Sequence, residues 1–95
     1  MAPAPDPVLL RMLARAHVWA EQLKTGTPLA DVARAAGHSE SYICTRAPLA
    51  FLSPEIQKTI LAGTQPPDLT LERLVRSKIP LDWAEQERLF GFTEA

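Results

Sequence analysis

Apolar positions along this chain recur at three- and four-residue steps, and the gaps between them carry helix punctuation. Leu9, Met12, Leu13, Ala16, Trp19, Ala20 and Leu23 fall on one face of a helix predicted over 8–24. "TGTP" ends it, and Thr27 can cap the next helix with Pro28 at its first position, where a missing N–H costs nothing. That second helix, over 28–36, stops at Gly37, which suits a left-handed C-terminal turn. Ser39 is placed to cap a third helix over 40–47, which Pro48 ends because its ring clashes with the preceding turn. "SPEI" restarts the chain. Ser53 caps, Pro54 takes the first position, and Glu55 favours the positive end of a helix over 54–62 closed by Gly63. Beyond the "TQPPD" linker, Thr70 caps 71–77, and Asp82 with Glu85 forms a capping box for 83–90. No strand pattern stands out. The pattern predicts an all-α chain of about six helices: a Pro-rich arm over 1–7, a helical domain over 8–63 and a helical extension over 64–95.

Residues 29–43, "LADVARAAGHSESYI", carry a sharper signal. A helix-turn-helix needs a small residue where its second helix packs closely, a turn residue tolerant of positive φ, and apolar inner faces. Ala33 is the small residue, and Gly37 follows it by four. Val32 and Ala36 face inward, Ile43 anchors the third helix, and Tyr42 can pack beside it. Two positions depart from the pattern. His38 follows Gly37 where an apolar residue is usual, and Arg46 stands three residues after Ile43 where a further apolar anchor is expected. The exposed start of the third helix offers Ser39, Glu40, Ser41 and Thr45 to base edges, since Ser and Thr donate and Glu accepts from cytosine. Lys24, Thr27, Arg34, His38 and Arg46 flank them as candidate backbone contacts.

Composition changes this picture in one respect. The formal net charge is −1, so the bulk electrostatics that drive non-specific nucleic-acid binding are weak. Charge can still be segregated: Arg11, Arg15, Lys24, Arg34 and Arg46 fall in the first half and Asp68, Glu72, Asp82, Glu85, Glu87 and Glu94 in the second, which leaves room for a basic face on one half that sequence alone does not show. Apolar residues make up 46 % of the chain, enough for a core. No apolar run is long enough to span a bilayer, and "MAPAPDP" lacks the layout of a secretory signal. The single Cys44 can form neither an internal disulfide nor a thiolate cage. A cytoplasmic, nucleoid-associated protein is expected.

Enzyme chemistry finds no constellation. His17 and His38 lack the cysteine pair or acid cluster of a metal site, the acids of the last helix read as caps and solvated charge, and no glycine-rich phosphate loop is present. The expectation is a non-enzyme without cofactors. "LDWAEQERLFGF" is a short amphipathic helix with aromatics at its ends. Its simplest role is packing on the hairpin; its functional role is docking a protein partner through Trp83, Leu89, Phe90 and Phe92.

The stretch "RAPLAFLSPEIQKTILAGTQPPDLTLERLVRSKIPLDWAEQERLFGF", with "RAHVWAEQL" before the hairpin, resembles the C-terminal segment of bacterial serine recombinases of the resolvase/invertase type. The resemblance covers roughly residues 10 to 92 and is most specific in "AGTQPPDLT" and "IPLDWAEQERLFGF". The hairpin with "LSPEIQKTILAG" resembles, more loosely, the helix-turn-helix of ParB/KorB-type partition proteins. The resemblance implies an all-helical DNA-binding module. The expected protein is a small transcriptional regulator or recombination accessory factor of a phage or mobile element, acting on double-stranded DNA, and a homodimer is expected because one weakly charged module binds poorly alone. It does not imply recombination, because that family's catalytic serine lies in a separate α/β domain. Ser39, Ser41 and Ser53 read as caps or surface contacts rather than nucleophiles. The chain departs from the family near Glu40, where a basic residue is usual, near Cys44 and Thr45, where "SR" is usual, and at Ala47 and Pro48, where the helix normally continues. The alternative reading is an interaction module whose degenerate helix-turn-helix serves as scaffold while the C-terminal helices dock RNA polymerase or another regulator.

Overall fold

A computed structural model describes residues 5–92. It is all-helical, in the order α1 (Pro7–Lys24), α2 (Leu29–Ala36), α3 (Glu40–Arg46), a 3-10 helix (Ala47–Phe51), α4 (Pro54–Ala62), α5 (Leu71–Arg76) and α6 (Trp83–Leu89). None of these helices is long and apolar enough to cross a membrane. The expected all-α architecture of about six helices is what the chain adopts.

α1 is the central strut. It buries Leu9, Met12, Leu13, Ala16 and Trp19 along one stripe. Against that stripe pack α2, α3, the 3-10 helix, α4 and α5. The core then continues through Val32, Ala33, Ile43, Leu49, Leu52, Ile56 and Ile60 into Leu69, Leu74 and Phe90. The C-terminal extension thus contributes to the same core as the hairpin.

Caps place the helices. Ser39, Ser53, Thr70 and Asp82 each accept a backbone N–H of the helix that follows, as the sequence indicates, but Asp82 bonds the Ala84 N–H and Glu85 returns no bond to it, so the expected capping box does not form. Asp6 caps α1 through Val8 and Leu9, so that helix starts one residue earlier than the periodicity predicts. Thr27 caps nothing. α2 begins at Leu29, the extended Pro28 occupies the cap position without a side-chain bond, and Thr27 lies one residue too early to reach the orphan N–H groups. α3 closes at Arg46, one residue short of expectation, because Pro48 tightens the chain into the 3-10 turn. Residues 1–4 of the expected arm lie outside the described residues. Gly63 ends α4 at φ 74° and is buried; a Cβ there would stand 2.5 Å from the Pro5 backbone nitrogen.

Gln86 fastens the extension. It is fully buried, although the sequence places it among charged neighbours. Its Oε1 accepts the Ser53 N–H at 2.7 Å, and its Nε2 donates to the Pro80 carbonyl at 2.7 Å and the Phe51 carbonyl at 3.1 Å. Within the extension, Arg73 joins α5 to α6, donating to the Leu89 carbonyl at 2.9 Å while pairing with Asp68.

Candidate nucleic-acid interface

The α2–α3 hairpin is built as the sequence pattern requires. Gly37 sits at φ 75°, ψ 28°, in the left-handed region. The His38 N–H returns to the Ala33 carbonyl and the Gly37 N–H to Arg34, which closes α2 with a Schellman motif. Ser39 Oγ then accepts the Tyr42 N–H at 3.1 Å and starts α3. Val32, Ala33 and Ile43 are buried where the two helices meet α1. Glu40, Ser41, Cys44 and Thr45 are exposed on the outer side of α3.

The two residues that depart from the apolar pattern share one partner. The His38 ring stacks on Tyr42 with centroids 3.8 Å apart and planes 12° from parallel. The Arg46 guanidinium carbon lies 3.7 Å from the same ring centroid. Two groups this close to one centroid occupy its opposite faces, so Tyr42 is sandwiched. Trp19 meets both aromatic rings in a T-shaped arrangement, its centroid 6.4 Å from that of His38 and 6.0 Å from that of Tyr42. Positions 38, 42 and 46 are four apart, which brings them into one row. The stack stands in for the missing apolar anchors by combining ring stacking with a cation–π contact. It also fixes an imidazole and a guanidinium at the edge of α3.

Other candidates are held less freely. Arg34 pairs with Asp31 at 3.1 Å, with both side chains well exposed. Thr45 Oγ1 donates to the Ser41 and Tyr42 carbonyls and accepts from Arg46 at 2.9 Å, which commits its hydroxyl to α3 itself. Lys24 is exposed but borders a different groove, between α1 and the 3-10 helix, with His17, Glu21 and Phe51. Thr27 is half-buried, its N–H bonded to the Gln22 carbonyl. The structure therefore groups His38, Ser39, Glu40, Ser41, Thr45 and Arg46 around α3, with Arg34 beside them on α2, and sets Lys24 and Thr27 apart.

The candidate partner residues divide as well. Trp83 and Leu89 are exposed, as is the neighbouring Leu81 at 94 %. Phe92 is half-buried against the core. Phe90, read from the sequence as part of the docking face, is 1 % exposed and belongs to the core, because the face of α6 bearing Gln86 and Phe90 turns inward.

Sequence reasoning did not assign Tyr42 its role as a platform. The available signal was the spacing of His38, Tyr42 and Arg46, legible once the two departures are taken together. Comparison of the chain with protein-family models, with curated proteins and with solved structures finds no match in any of the three.

Proposed function

We propose that this chain is a small sequence-reading DNA-binding module of transcriptional or accessory type, with α3 entering the major groove of duplex DNA. The observation that carries this reading is the hairpin. A glycine-closed α2 and a serine-capped α3 present an outer face of small polar side chains, flanked by the immobilised His38 and Arg46. Ser41 and Glu40 are the base-reading candidates, and Ser41 can donate or accept while Glu40 selects for a cytosine amino group. Thr45 offers its methyl group, the hydroxyl being engaged, which suits contact with a thymine methyl. Arg34, Arg46 and His38 serve phosphates. With few cations and an acid at residue 40, one copy binds weakly, so a homodimer on paired half-sites accompanies the proposal.

The test is a pull-down of tagged protein from cells with sequencing of the bound DNA, followed by titration of the recovered duplex across a range of salt. Peaks sharing a motif, with affinity weakened by Arg46→Ala and Arg34→Ala, support the reading. Absence of enriched DNA refutes it.

A second reading has its own observation. Leu81, Trp83 and Leu89 expose apolar surface on and before α6, which suits a protein partner such as RNA polymerase or another regulator. Removing everything after Gly63 does not test this reading, because Leu69, Leu74, Phe90 and Gln86 are built into the core. The discriminating variant is Leu81→Ser with Trp83→Ala, which leaves that core intact. It abolishes partner capture under the second reading and leaves DNA binding unchanged under the first.

A further inference from the structure

The hairpin reading makes no use of Arg15, an α1 residue that the fold brings to the turn between α2 and α3. Arg15, Trp19, Ala36 and His38 enclose a surface hollow of about 250 Å³. Its lining contains no carboxylate. Arg15 has no acidic partner among the described residues, whereas Arg34, Arg73 and Arg76 each have one. The His38 ring makes no hydrogen bond among them either, yet its plane is fixed by stacking on Tyr42 and by the T-shaped contact with Trp19. Trp19 is only 6 % exposed, lines the same hollow, and makes no hydrogen bond through its indole N–H to a described residue. Three nitrogen-bearing side chains with unused donor capacity thus border one hollow, beside the residue that caps α3.

We propose that this hollow seats a phosphate group, and that the phosphate is a backbone phosphodiester of duplex DNA flanking the groove that α3 enters. The inference rests on the DNA-binding reading and extends its contact surface from the hairpin to α1. The chemistry favours phosphate. Arg presents a planar fork of donors that matches its oxygens, and a preoriented imidazole and the indole beside it add further donors at low entropic cost. Such contacts set the register of the protein on the duplex without reading sequence. They also answer the weak net charge, because an unpaired arginine contributes its full counterion release while Arg34 shares its charge with Asp31.

The chain has two tryptophans, which gives the test an internal control. The full chain, labelled with nitrogen-15, is titrated with a short duplex at low salt while the Trp19 and Trp83 indole N–H signals and the α3 amides are followed. The expected result is a shift of the Trp19 indole together with the α3 amides, with Trp83 still. Arg15→Gln, an exposed substitution, then weakens duplex affinity several-fold and lowers the slope of log K against log salt by about 0.9, the value of one phosphate contact. If the α3 amides move but Trp19 does not, and Arg15→Gln binds like the parent, the seat is refuted while the DNA reading stands. If duplex moves neither, both fall. Inorganic phosphate is the second arm. A Trp19 shift with phosphate alone, absent with duplex, overturns the assignment to DNA and makes the source a small phosphate.

Discussion

Replacing Gln86 by Met keeps the side-chain volume and removes three hydrogen bonds, two of which, to Ser53 and Phe51, join the extension to the hairpin domain. The Ser53 N–H is then left inside a fully buried residue with no acceptor. An orphaned buried donor costs roughly 1–3 kcal/mol, and each of the other two bonds contributes about 1 kcal/mol net. The bond to the Phe51 carbonyl is only part-buried, so water recovers part of its contribution. The expected loss is therefore about 3 kcal/mol, a large share of the ~5–14 kcal/mol stability of a domain this size. With a urea m-value of roughly 1.5 kcal/mol/M, the midpoint falls by about 2 M. Urea titration followed by far-ultraviolet circular dichroism measures this directly. A Gln86→Met midpoint within about 0.3 M of the parent, equivalent to roughly 0.5 kcal/mol, would refute the reasoning and leave the attachment of the extension to apolar packing of Leu69, Leu74 and Phe90.

Other outcomes follow from the same geometry and, for Asp31 and Tyr42, from the proposed DNA-binding reading. Gly63→Ala combines left-handed strain with a collision against Pro5, and costs about 2 kcal/mol or more, whereas Gly37→Ala has open space around it and costs about 1 kcal/mol; thermal melts showing equal losses would contradict the contact. Asp31→Asn releases Arg34 and raises duplex affinity at low salt a few-fold, while stability changes by under about 1 kcal/mol; weaker binding in a fluorescence anisotropy titration would show that Arg34 does not face DNA. Tyr42→Leu keeps an apolar side chain but removes the stacking platform, so affinity falls at least as far as in Arg46→Ala; binding equal to the parent would show that the sandwich orients nothing of use.

The helices were legible because their ends are chemically marked. Ser39, Ser53, Thr70 and Asp82 cap where the sequence places caps, and Gly37 and Gly63 turn where glycine is needed. Thr27 misled because a proline follows it: Pro28 can stand either inside the first turn or at the cap, and sequence does not distinguish these by one residue. Phe90 was read as an exposed anchor because an isolated seven-residue helix gives too few turns to fix which face is inward. Gln86 could not have been found from composition, since its burial depends on three carbonyl and amide groups from segments 6 to 35 residues away in sequence. At the hairpin the small and apolar positions were plain, but the stack was hidden. A periodicity argument scores His38 and Arg46 as polar, whereas their flat faces pack as well as apolar groups do.

The brevity of α3 has a consequence for addressing. Seven residues at 1.5 Å each span about 10 Å, the rise of roughly three base pairs. Three fully discriminated positions recur by chance about once in 64, so a bacterial chromosome would offer tens of thousands of equivalent matches. On the proposed reading, a single α3 carries too little information to name one locus. The 3-10 turn that Pro48 imposes thus acts as a cap on information content, and the missing bits have to come from a second α3 at fixed spacing or from a companion already standing on the DNA.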